Sequence, residues 1–234
     1  MLLDRNLVRL NGRRGGDHPH SVQRWKLLYV LVALVSMPTH AQRVDVARFS
    51  DGNLDGWTSR TFVGETQYEL TGDVGRRVLH ARSNATASGL YRTVRINLTD
   101  TPYLHWSWRI SRPLDIDDER QKPGDDFPAR VYVVFANGPL LWRTRAINYV
   151  WSGRQPADAA WPNPFTDKAW MIAVRSGAVG AGQWARESRN VLDDYRRVFG
   201  EEPGDVSAVA VMSDSDNSGL ATEAWFGDVW FGAK

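Results

Sequence analysis

The sequence predicts an all-β protein, an antiparallel β-sandwich of jelly-roll type with one short helix. Three observations carry this. Short runs with period-two alternation of apolar and polar residues follow one another along the chain, which is strand patterning rather than helix patterning. Turn-forming clusters such as GDVG (72–75), ANGP (136–139) and DSDNSG (214–219) separate many of them. Eleven tryptophans, ten of them after residue 41, suit an aromatic-rich β core or a surface that stacks on sugars.

The strands read in order as QYELTGD (67–73), RRVLHARS (76–83), SGLYRTVRINL (88–98), YLHWSWRI (103–110) and ARVYVVFA (129–136). AINYVWSG (146–153), AWMIAVRSG (169–177), DVSAVAVMSD (205–214) and EAWFGDVWF (223–231) follow. Only ARESRNVLDDYRRVFG (185–200) reads as helix, with Val191, Leu192, Tyr195 and Phe199 near helical spacing and Gly200 as its stop. Two long loops, 111–125 and 152–168, stand out, and long ordered loops in a sandwich often carry function.

Residues 1–41 read as a signal peptide with an extended basic lead. Arg5, Arg9, Arg13, Arg14, Arg24 and Lys26 precede LLYVLVALV (27–35), and small residues follow at Thr39 and Ala41. The apolar run is about half the ~20 residues a transmembrane helix needs. The expectation is therefore a periplasmic or secreted protein with no stable membrane span after cleavage, and a single domain over 42–234. The chain carries 29 basic and 27 acidic residues; the leader takes six basic and two acidic, leaving 23 against 25, a net of −2. That balance gives no footprint for nucleic acid. The absence of cysteine excludes disulfides, thiolate nucleophiles and cysteine-held metals.

Candidate site residues come from the polar sides of the strands. In DDFPARVYVVF (125–135) the alternation puts Asp126, Arg130 and Tyr132 opposite an apolar side. In YLHWSWRI it puts His105 and Arg109 opposite Leu104, Trp106 and Trp108, and Arg175 stands on a similar side of its strand. Were these strands neighbours, they would line one sheet face as a saccharide groove, with arginine forks suited to anionic groups. An ordinary solvated face with cross-strand Asp–Arg pairs explains the same letters. Tyr149, Trp151 and Trp161 make either a stacking platform or core. Asp214, Asp216 and Asn217 crowd oxygen ligands at a strand end, as a rim to the groove, a calcium contact, or simply a turn.

The series GDDFPARVYVVF, INYVWSG, ESRNVLDDYRRVFG, SDSDNSG and WFGDVWF resembles a bacterial family of exported proteins known only as a domain of unknown function. More distantly, FSDGNLDGW and WFGDVWF are similar to the first and last strands of jelly-roll carbohydrate-binding modules. That second resemblance implies a structural calcium where those strands meet, at Asp51 and Asp228.

The function expected is non-catalytic binding of a carbohydrate or other cell-envelope polymer, anionic groups included. Arg109, Asp126, Arg130, Tyr132 and Trp151 would form the groove, with Asp214 and Asp216 at its rim. One alternative is a polysaccharide hydrolase or lyase built on paired aspartates; no HExxH, P-loop, GxGxxG or G-x-S-x-G pattern supports other chemistries. A second alternative is a structural or partner-binding envelope protein.

Overall fold

A computed structural model describes residues 43–73, 75–136 and 144–234. The signal peptide expected at 1–41 and most of the 136–139 turn lie outside the described residues. Fourteen strands form two seven-stranded sheets. Sheet A holds β1 (Val44–Ala47), β3 (Gln67–Asp73), β4 (Arg76–Asn84), β6 (Tyr103–Ile110), β11 (Ala185–Asn190), β13 (Ala221–Phe226) and β14 (Val229–Gly232). Sheet B holds β2 (Trp57–Val63), β5 (Ala87–Ile96), β7 (Arg130–Phe135), β8 (Arg145–Ser152), β9 (Ala160–Asn163), β10 (Thr166–Ser176) and β12 (Val206–Asp214). This is the jelly-roll-like sandwich the alternation predicts, with one departure: β10 runs parallel to β8, because β9 intervenes as a separate edge strand.

The core lies where the apolar sides of the two sheets meet. Leu104, Trp106, Trp108 and Ile110 of β6 face Val131, Val133 and Phe135 of β7 and Ile147, Tyr149 and Trp151 of β8, all buried. Trp108 meets Trp151 at 6.0 Å between ring centroids and Trp106 meets Tyr149 at 5.4 Å, so aromatic pairs join the two layers. A second apolar cluster of Phe127, Val150, Trp161, Met171 and Ala173 forms on the far side of sheet B, beneath β9. Close backbone approach fixes both long loops: a Cβ on Gly124 would collide with the Asp118 carbonyl, and one on Gly153 with the Leu114 carbonyl.

The helix is shorter than the sequence predicts. Helix α1 is Val191–Phe199, and ARESRN is strand β11, paired along all six residues with β6. Asn190 ends the strand and starts the helix, its side chain accepting from the Asp193 amide at 3.2 Å. The open edge of β6 captured residues whose intrinsic preference reads as helix. Tyr195 then packs edge-on against Phe135 at 4.6 Å, and Asp194 receives the buried Tyr149 hydroxyl at 2.9 Å, which docks the helix on the core.

Strands β13 and β14 lie end to end along the same side of β6, interrupted at Gly227–Asp228. Gly227 donates to the Ser107 carbonyl at 2.8 Å, and a Cβ there would overlap the Ser107 hydroxyl. Only glycine fits at this break. Upstream of it β13 pairs with β4; downstream β14 pairs with β1.

Candidate functional site

The structure separates residues that the sequence placed on one face. Arg130 and Tyr132 belong to sheet B, whereas His105 and Arg109 belong to sheet A, so they cannot share a groove. The strand also starts only at Arg130; residues 125–129 are not strand, so the alternation does not extend back to the aspartates.

Arg130 is 2% exposed and sits at the centre of a closed cluster. Its Nε donates to Asp214 Oδ1 at 2.7 Å, Nη2 to Asp214 Oδ2, and Nη1 to Asp125 Oδ1 at 3.3 Å, with the Phe127 ring 4.6 Å away. Asp126, fully buried, accepts from the backbone amides of Asn217 at 3.2 Å and Ser218 at 2.6 Å, and so pins the DSDNSG turn. Asn163 donates to Asp125 at 2.9 Å and ties β9 to the same cluster. The groove residues Asp126 and Arg130, and the rim residue Asp214, are thus structural pegs beneath a cap. Buried charge of this kind survives only when paired.

Carboxylates still outnumber the guanidinium. Burial pushes Asp214 up to about 7, against the pull of Arg130 and with the help of Asp126 and Asp125. Burial also raises Asp216, again with Asp126 beside it. Asp126, Asp214 and Asp216 each bring a carboxylate oxygen within 4.8 Å of the others, an arrangement that could hold a divalent cation. β1 and β14 do meet, but both oxygens of Asp228 accept from Ser50, its amide at 2.9 Å and its hydroxyl at 2.6 Å, while Asp51 pairs with Arg48 at 2.9 Å.

Two further expectations change. Trp151 is fully buried core, and Tyr149 and Trp161 are buried too, so the aromatic platform is absent from AINYVWSG. Tyr132 is half-buried on the outer side of sheet B, its hydroxyl turned to the Met212 sulfur at 3.6 Å.

The aromatic surface lies instead on the outer side of sheet A, where alternation along β6 leaves Tyr103, His105 and Arg109 half-exposed. His105 stacks on Trp230 at 3.7 Å, with the Arg43 guanidinium 4.6 Å from the same ring. His80 stacks on Trp225 at 4.6 Å, and Arg109 lies 4.0 Å from Trp225 and 5.7 Å from Trp184. His80 also joins strands, with Nε2 3.0 Å from Glu223 and Nδ1 3.7 Å from Glu69. Beside this row an open groove of about 840 Å³ is lined by Arg82, Ser83, Asn84, Thr86, Thr222 and Glu223, among others. Seven buried side-chain polar atoms among the described residues have no partner, and two belong to this side: His105 Nε2 and Arg109 Nε. Burial, with Arg43 nearby, holds His105 below the usual imidazole range, so the ring favours its neutral form. Of the residues the alternation singled out, Arg109 and His105 stand here. Trp184, Trp225 and Trp230 were missed, although the alternation of Trp225 and Trp230 with buried Phe226 and Phe231 is visible in WFGDVWF.

The fold and these two polar regions define a β-sandwich with one closed acid–arginine cluster and one open aromatic face. Residues 55–230 match the family described as "Protein of unknown function (DUF3047)", and the chain belongs to that family. No curated protein matches. Among solved structures the chain is similar to the family 11 carbohydrate-binding module of the cellulosomal cellulase Lic26A-Cel5E of Clostridium thermocellum. That match has 6% identity and a TM-score of 0.43, and covers 82% of this chain and 95% of the other. It is also similar to the cellulose induced protein Cip1, with 11% identity, a TM-score of 0.44, and coverage of 78% and 94%. The family 11 xylanase from Neocallimastix patriciarum gives 12% identity, a TM-score of 0.40, and coverage of 82% and 93%. No helix among the described residues is long and apolar enough to cross a membrane.

Proposed function

We propose that this is an exported, non-catalytic binding domain for a carbohydrate or related cell-envelope polymer, and that the polymer lies along the outer side of sheet A. The carrying observation is the row of half-exposed rings at Trp184, Trp225 and Trp230, with His80, His105 and Arg109 stacked against them, beside a groove rich in hydroxyl and amide groups. A polyhydroxylated chain suits such a surface: its hydroxyls meet the polar groove and its C–H edges meet the tryptophans. The basic, apolar leader supports export to the periplasm or beyond.

The paired aspartates favoured for hydrolysis are poorly placed for it. Asp125, Asp126 and Asp214 are buried and engaged by Arg130 or by backbone amides. In this reading a structural calcium belongs at Asp126, Asp214 and Asp216, not at Asp51 and Asp228.

The test is a binding screen of the protein against soluble neutral and acidic polysaccharides, with Trp225→Ala and Thr222→Val alongside, and with reducing ends assayed in parallel. Binding that weakens at least tenfold in Trp225→Ala, without release of reducing ends, is the expected result. Wild-type-like affinity in both variants would move the site off this face, and turnover would make the protein an enzyme.

A further inference from the structure

The break in the β13–β14 strand opens a gap, and three arginines gather around it. Arg76 of β4 reaches across: its guanidinium lies 4.4 Å from the Trp184 ring, and its Nη1 comes close to Gly227. Arg109 approaches Trp184 from β6, and Arg186 of β11 stands opposite Ser107, the residue Gly227 touches. Among the described residues Asp73 is the one carboxylate in hydrogen-bond or ion-pair contact with this group. It accepts from Trp184 Nε1 at 2.6 Å and lies 3.4 Å from Arg109 Nη2. Among the described residues neither Arg76 nor Arg186 has a carboxylate partner, and Arg109 Nε has no partner at all. An open hollow of about 620 Å³, lined by Arg76, Arg77, Asp73 and Asp51, adjoins them.

The geometry points to an anion-recognising subsite formed by Arg76, Arg109 and Arg186 around Trp184, which takes the carboxylate or sulfate of an acidic sugar. The inference rests on the proposed polymer-binding face and names the charge class of its ligand. Three guanidiniums against one carboxylate leave excess positive charge, and rings fix two of the three forks, so little side-chain freedom is lost on binding. A planar fork with a free N–H accepts a carboxylate in a geometry that lysine cannot copy.

Polygalacturonate and the same polymer after reduction of its carboxyl groups make a matched pair of probes, with thermal unfolding of every variant as the folding control. The expected result is tenfold or greater preference for the acidic form, eroded by rising salt. Arg76→Gln should remove most of that preference while binding of the reduced polymer holds. Equal affinity for the two forms, or a preference that survives Arg76→Gln, overturns the subsite and leaves the polymer-binding face standing. Failure of folded wild-type protein to bind either form, when Trp225→Ala changes no other binding in the wider screen, overturns both.

Discussion

Arg130 and Arg109 stand on strands with the same alternating pattern, yet one is 2% exposed at its side chain and the other 22%. Arg130 sits under a cap of loops and satisfies two carboxylates, Asp125 and Asp214, from two segments. Arg109 lies against tryptophan rings on an open sheet, with one longer ion pair and an idle N–H. The difference teaches that what covers a strand's polar side decides whether its charges are structural or available. Around Arg130 the cover is the 125–129 segment, the DSDNSG turn and β9; over Arg109 there is none.

The largest effect should come from the closed cluster. Arg130→Met leaves Asp214 and Asp125 buried without their cation, and a loss of about 3–5 kcal/mol in unfolding free energy is expected from urea titration. Arg130→Met combined with Asp214→Leu should recover part of that loss. If the single variant instead keeps full stability, the cluster is not a buried ion-pair centre.

Next comes Gly227→Ala. Its new methyl meets the Ser107 hydroxyl, at a cost of about 1–3 kcal/mol by thermal unfolding. Ser107→Ala in the same chain should relieve it; no relief would place the strain in the backbone.

The comparison is sharpened by pH. Asp214 titrates near 7 when folded and near 3.8 when unfolded, so between those values the folded protein holds the extra proton. Its contribution to stability is therefore full below about pH 4 and is lost as pH rises through 7. Unfolding free energy measured from pH 5 to 8 should fall with a slope that Asp214→Asn removes. Calcium bound at Asp126, Asp214 and Asp216 would displace that proton, so its stabilising effect should be greater at pH 8 than at pH 6. An equal effect at both values, or one kept by Asp216→Asn, would place calcium elsewhere.

The smallest effect belongs to the exposed pair of Arg43 and Asp45 at 2.6 Å. Asp45→Asn should change stability by less than about 1 kcal/mol, as surface pairs do.

Much of the fold was legible because local patterning and tertiary demand agree. YLHWSWRI buries the side its alternation marks as apolar, QYELTGD packs Tyr68 and Leu70 against the core, and AINYVWSG is buried on both sides. Strand β11 was illegible because ARESRN has no apolar alternation to display; pairing with β6 alone makes it a strand. The site was harder to read. Nothing local in YLHWSWRI or ARVYVVFA states which sheet each strand joins, and the grouping of Arg109 with Arg130 depended on that. Asp125 and Asp126 misled for another reason: the loop's path, not the strand's period, aims their side chains.

The interrupted strand β13–β14 also orders the protein's assembly in time. β1, the β3–β4 hairpin and the β6–β11 pair meet only through residues 221–232. A chain emerging from the ribosome therefore holds these as three unjoined pieces until its final residues appear, and much of the apolar side of sheet A waits uncovered with them. Such late closure defers stable folding of sheet A until residues 221–232 have been made.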